Sequence, residues 1–387
     1  MSTPHQFASN SRHSIGVELE LQIVSRSSGA LVDGYQNIFD RLPADVAPHV
    51  KPEFMQSYVE IISGVCNSVS DVEGDLGPKI RAVQSAANSL DLGLIWAGSH
   101  PFSRWEKQGI TPGERYQWLL NQMQDVARRL LVFGLHVHVG VDSGDKAIQL
   151  CDRLLRHIPV FLALSSNSPY WCGRDSGLES YRSKIIEALP TAGLPQTMRN
   201  WSEYVWFINH LIDTKFISSN REIWWDVRPH AKFGTVEMRV MDMPLNFRHT
   251  LGLTALTQSL IAHISDRIDR GTFLYDCHPL IAKQNKWHAG RYGMNANFVD
   301  AETMQAIPAR TVARRLIETL APTADRLGCL KELYILDDII ENGTGADRQR
   351  KVFEQTNSME AVAKYLMEQA ALPAPHPSAA PALSASA

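Results

Sequence analysis

What this chain of 387 residues lacks narrows its possible classes early. Cysteine is scarce: Cys66, Cys151, Cys172, Cys277 and Cys329 make five, an odd number with no C-x-x-C pair. That usage counts against a disulfide framework or a zinc ribbon and fits reduced thiols. Net charge is almost absent too, with 38 basic against 41 acidic residues and a formal charge of -3. No general electrostatic attraction to nucleic acid or an anionic membrane is expected. Long hydrophobic runs are missing: Ile158 to Leu164, the longest, is far too short to cross a bilayer, and the polar stretch Met1 to His13 lacks the apolar run of a signal peptide. These features predict a cytoplasmic protein. No G-x-x-x-x-G-K-[ST] occurs, so any nucleotide must be held without a P-loop. Internal repeats and clear domain boundaries are lacking as well.

What is present begins at Ile15 to Val24. Side chains on a strand alternate between faces, so Ile15, Val17, Leu19, Leu21 and Ile23 form an apolar face while Glu18 and Glu20 leave the other together. Like charges at that spacing, in a partly enclosed site, need water, Arg or Lys, or a metal cation to balance them. The pattern recurs. Phe54 to Ile62 reads as a strand carrying Glu60, with Glu53 just before it. Leu135 to Val141 places Leu135, Val137, Val139 and Val141 on one face and His136 and His138 on the other. Gly234 to Met241 places Val236, Met238 and Val240 inward and Thr235, Glu237 and Arg239 outward, while Asp226 and Arg228 share a face of the preceding strand, Ile223 to Arg228.

Between and after these strands the apolar period is helical over Ser70 to Leu92, Gly113 to Leu131, Asp145 to Leu164, Leu178 to Leu189 and Met198 to Ile212, and the chain is mostly helical from Asn246 onward. One irregular connection is expected at Asp276 to Val299. Gly98 to Glu114 and Ser165 to Gly177 read as long loops, suited to closing over a site. The expected organisation is a flexible start over 1–12, one catalytic domain over 13–372, and a Pro/Ala/Ser tail over 373–387 with too little apolar bulk to order itself.

Gathered onto one half-buried antiparallel sheet, these faces would form a polar floor of carboxylates, imidazoles and arginines over a hydrophobic layer. An oxygen-rich floor suits Mg2+ or Mn2+. The plainer alternatives are solvated carboxylates, surface imidazoles and an exposed Glu237 and Arg239 pair contributing at most about 1 kcal/mol. Repetition of one device in four strands weighs against them. Trp201 to Phe207 and Trp224-Trp225 read as core, and Cys172 has no neighbouring His to make it a nucleophile.

Six segments, Gly16-Val-Glu-Leu-Glu20, Gly98-Ser-His-Pro-Phe102, Leu135-His-Val-His-Val-Gly140, Ser165-Ser-Asn-Ser-Pro-Tyr170, Trp225-Asp-Val-Arg-Pro229 and Gly234-Thr-Val-Glu-Met-Arg239, give a resemblance across most of the chain. In order, they resemble glutamate-cysteine ligase family 2, the YbdK-type carboxylate-amine ligases. The resemblance implies an α+β, glutamine synthetase-like fold, with an antiparallel sheet forming an open funnel and helices on its outer side. It further implies an ATP-dependent ligase that converts a carboxylate, the γ-carboxylate of glutamate, to an acyl phosphate and joins it to an amine such as cysteine. By resemblance Glu18, Glu20, Glu60, His138 and Glu237 are metal ligands for Mg2+ or Mn2+. Arg228 and Arg239 would meet phosphate or substrate, and Arg182, His136, Asn285 and Arg291 would contact substrate or nucleotide. A homodimer is expected on the same basis. Two rival readings are a guanidino-type phosphotransferase of related fold and a non-catalytic ATP- or metal-binding protein.

Overall fold

The computed structural model describes residues 6–272, 277–300 and 302–372, so the expected tail and part of the expected flexible start lie outside the described residues. Strand β1 (Ile15–Ser25) is the longest and the most central. It pairs antiparallel with β3 (Tyr58–Ile62), with β4 (Leu92–Ile95) at its C-terminal end and with β5 (Leu135–Gly140). The short β2 (Val50–Lys51) flanks β3, and β7 (Thr235–Met238) joins β5 to β6 (Val227–His230), giving the order β2-β3-β1-β5-β7-β6. Every registered pair is antiparallel.

The period-2 pattern explains which way the sheet faces. Ile15, Val17, Leu19, Leu21, Val137, Val139, Val236 and Met238 are buried in one core with residues of helices α1 (Val69–Asn88) and α6 (Phe247–Asp269). The helices cover that face and leave the acid and imidazole face for other use. At α1 a capping box fixes the start: Ser68 Oγ accepts from Asp71 N at 3.1 Å, and Asp71 accepts from Ser68 N at 3.0 Å.

Several expected helices are shorter or divided. Helix α2 (Glu114–Met123) breaks at Gln124, where φ is 48°. The expected 145–164 helix is two, α3 (Gly144–Leu154) and α4 (Ile158–Ser165), because Pro159 lacks an N–H and is tolerated only in a first turn. The helix expected at 178–189 is one turn, Arg182–Ile186. Conversely, the connection expected to be irregular between 276 and 299 holds a regular helix, after α5 (Trp201–Asp213): this is α7 (Pro279–Tyr292), with Pro279 in its first turn and Gly293 ending it at a positive φ of 52°.

Residues 8–10 run from the β6–β7 hairpin to the end of β5. Ala8 N donates to Ala231 O at 2.9 Å and Asn10 N to Val141 O at 2.8 Å. Gly234, in the hairpin turn at φ 64°, lies so close to the Ala8 carbonyl that any side chain there would overlap it.

Candidate active site

The register of the sheet assembles the polar floor. Glu20 stands opposite Glu60, Glu18 opposite His136, His138 opposite Glu237, and Glu237 opposite Arg228. Directly opposed side chains on one sheet face lie within contact range. Five strands thus bring Glu18, Glu20, Glu60, His136, His138, Arg228 and Glu237 together, and Arg239 joins them just beyond the end of β7.

At one end the groups pair. His136 Nδ1 lies 3.1 Å from Glu18 Oε2, and His138 Nε2 lies 3.3 Å from Glu18 Oε1 and 3.8 Å from Glu237 Oε1. Thr235 Oγ1, 3.0 Å from His138 Nδ1, fixes that ring from behind. Glu237 is fully buried between two guanidinium groups: Arg228 Nε donates to its Oε2 at 2.7 Å, and Arg239 Nη1 pairs with its Oε1. Burial would raise the Glu237 carboxyl, but Arg228 and Arg239 outweigh it and hold the group well below the carboxylate range. Burial likewise opposes ionisation of Glu18, and hydrogen bonds from His136 and His138 overcome it. His138 is lowered by burial but raised more by Glu237 and Glu18. One ligand atom each from Glu18, His138 and Glu237 lie within 4.8 Å of one another, a spacing at which a single divalent cation can be held.

At the other end charges collide. Burial, then repulsion from Glu53, pushes Glu20 up to about 7. Burial and the charges of Glu53, Glu18 and Glu20 raise Glu60 well above its ordinary range, and Glu53 is itself raised by burial, with Arg115 opposing. Carboxylates crowded this way require a cation or a proton. Sequence reading noticed Glu53 only as a neighbour of the strand, because it precedes β3 and falls outside the alternation. Between the two ends, His136 is pushed down to about 4 by burial and by Arg239. Its Nε2 is buried without a hydrogen-bond partner and lies 3.9 Å from Glu20 Oε1.

Arg228 and Arg182 are more committed than expected. Arg228 Nη1 donates to Ile223 O at 2.8 Å and reaches the Asn220 and Arg221 carbonyls, so its fork orients Glu237. Arg182 is buried beside Gly134, donates to the carbonyls of Val240 at 3.2 Å and Arg239 at 3.3 Å, and its charge opposes the rise of Glu20. Arg239 is the arginine whose charge reaches Glu18, Glu20, Glu53 and Glu60 as well as Glu237. The contacts of Asn285 and Arg291 do not bring them to the floor. Asn285 bonds the backbone of Val299 through both its amide nitrogen and its oxygen at 2.8 Å, and the Arg291 guanidinium lies over the Tyr292 ring. Their neighbour Lys286, missed in the sequence, is buried in an ion pair with Asp226 and Glu187 at 2.7 Å each.

The loops expected to close are in large part fixed. Ser165 to Ser168 are buried, and Asp242, also buried, accepts from Asn167 N at 2.9 Å, Ser168 Oγ at 2.6 Å and Ser180 Oγ at 2.8 Å. Asn167 Nδ2 donates to Trp96 O and Met243 O, and Gln349 donates to Asn167 Oδ1. His100 is buried, with Nε2 at 2.8 Å from Gly29 O and Nδ1 accepting from Ser103 N at 2.9 Å. These two serine- and histidine-bearing segments are structural junctions; exposed residues remain at 104, 106–107, 112–113 and 173–175.

The family model for glutamate-cysteine ligase family 2 (GCS2) matches residues 14–368. A protein of Thermobifida fusca (strain YX) named "Putative glutamate--cysteine ligase 2" is 38% identical over 368 residues, covering 94% of this chain and 92% of that one. A relative in Frankia casuarinae, "Putative glutamate--cysteine ligase 2-1", is 41% identical over 348 residues, covering 89% of this chain and 91% of that one. Among solved structures, the glutamate–cysteine ligase of Francisella tularensis in complex with AMP superposes with a TM-score of 0.72 at 12% identity, over 94% of this chain and 90% of that one. A bifunctional glutathione synthetase from Pasteurella multocida gives 0.68 at 15% identity, over 92% of this chain and 52% of that one. At those identities the likeness establishes the fold, the antiparallel sheet with outer helices of the glutamine synthetase-like class.

Proposed function

The chain belongs to glutamate-cysteine ligase family 2 and is an ATP-dependent carbon–nitrogen ligase, and from that premise we propose that it makes a γ-glutamyl amide through an acyl phosphate. The carrying observation is the floor itself: five strands in register, with the residues just beyond their ends, bring two paired and three crowded acidic groups, two imidazoles and two guanidinium groups onto one face.

The donor set of oxygens and one imidazole nitrogen fits Mg2+ or Mn2+. Glu18, His138 and Glu237 would hold one ion and Glu20, Glu53 and Glu60 a second. When bound, such ions neutralise phosphate oxygens and the charge that moves to the leaving oxygen. The protein's own part is positional and electrostatic. Arg228 clamps Glu237 through a fork anchored on three carbonyls, so the carboxylate cannot swing away. Arg239, placed among all the acids, supplies a fixed positive charge where a phosphoryl group would pass from nucleotide to carboxylate. Buried placement strengthens each of these terms and keeps water from an acyl phosphate.

The test is turnover. Purified protein supplied with Mg-ATP, glutamate and a panel of amines should release ADP and phosphate and form an amide. No ADP release, or a stable phosphorylated product without amide, would refute the proposal.

A further inference from the structure

The floor does not end at Glu237 and Arg228. His230 lies opposite Thr235 in the same alternation as Arg228, so it extends the polar face to the tip of the β6–β7 hairpin. There Phe233 stacks on it, with ring centroids 4.2 Å apart and planes 13° from parallel. Both rings meet His138 edge-on, at 5.5 and 5.8 Å. Phe233 is 53% exposed although its ring lies against the buried His138 imidazole. The tip is not free to fold the ring away. Ala8 N holds the Ala231 carbonyl, and Gly234 is packed against Ala8.

We infer that the open face of the His230–Phe233 stack is the platform for the purine base of the nucleotide. The inference rests on the proposed reading of the floor as a metal–triphosphate site. A flat aromatic face accepts any base by stacking, with its hydrophobic area and quadrupole both contributing. The spacing agrees: a base stacked at an ordinary ring separation of about 4–5 Å would lie within about 10 Å of the His138 imidazole. Ribose and one phosphate bridge that gap, leaving the outer phosphates over Glu18, His138 and Glu237. The geometry also explains why an exposed Phe sits beside a metal-ligand cluster, which packing alone does not.

The experiment compares a ligand that has a base with one that lacks it. Calorimetric binding of Mg-ATP and of Mg-tripolyphosphate is measured on the full chain and on Phe233→Ala, Phe233→Trp and His230→Ala. Phe233→Ala should weaken ATP roughly tenfold and leave tripolyphosphate within about twofold, whereas Phe233→Trp should bind ATP at least as well as the parent. Equal losses for both ligands, or no loss for ATP, would overturn the inference while sparing the phosphate site. A parent protein that binds neither ligand would overturn the underlying reading and the inference together. Because Phe233 is exposed at a surface turn, its substitutions should leave the melting temperature near that of the parent.

Discussion

Two buried polar clusters in this protein are each built around acidic groups and have opposite character. Around Asp242, an acid, serines and an asparagine have their donors and acceptors matched: Asn167, Ser168 and Ser180 all donate to one carboxylate. On the sheet floor, Glu53 raises Glu20, both raise Glu60, and the buried His136 Nε2 has no hydrogen-bond partner. The Asp242 carboxylate has its donors in place; the floor needs a cation or a proton to relieve its crowded carboxylates. Satisfaction, more than residue type, separates a structural junction from a site.

Substitution of one repelling carboxylate should sharpen that contrast most. Glu60→Gln is expected to cut ADP release by about a hundredfold or more, while the metal-free melting temperature holds or rises because a repulsion has been removed. A large fall in melting temperature would place Glu60 in the satisfied class and break the comparison. Asp242→Ala is the mirror case: three buried donors lose their acceptor, with an expected cost of about 3 kcal/mol or more in denaturant unfolding. Next in size is ligand linkage. Mg2+ or Mn2+ at a hundredfold excess over its Kd should stabilise the parent by about 2.7 kcal/mol, seen as a melting shift that a chelator reverses and that Glu18→Gln removes. Smallest is a pH effect in a second satisfied cluster, where Asp338 accepts from His249 and Arg348 at 2.8 Å and from Asn342 at 2.7 Å. Burial opposes its ionisation, but these donors lower its pKa. A carboxyl lowered in the fold contributes fully above its unfolded pKa, about 3.9, and loses that contribution as pH falls below it. Asp338→Asn should therefore flatten the acid limb of the stability curve and lower stability above about pH 5 by a constant amount; an unchanged acid limb would count against the pairing.

The legibility of this molecule in its sequence follows the same division. Strand alternation exposed Glu18, Glu20, Glu60, His136, His138, Glu237 and Arg239 because the period is local, and register then brought them into contact. Glu53 and Phe233 were not legible that way: one precedes its strand and the other occupies a turn, where no period applies. Asp242 and Lys286 were hidden for a different reason. Their partners, Ser168, Ser180, Asp226 and Glu187, are remote in sequence, so nothing local distinguishes them from solvated residues. The Ser165 to Tyr170 and Gly98 to Phe102 segments looked like mobile loops because polar, Pro-containing composition is shared by loops and by buried junctions. Only the identity of their hydrogen-bond partners tells the two apart.

The segment around Ala8 and Asn10 has a practical consequence for handling the protein. It braces the turn that carries Phe233, through the Ala8–Ala231 hydrogen bond and the packing of Gly234 on Ala8. A preparation trimmed through Asn10 should keep its core while its nucleotide affinity falls.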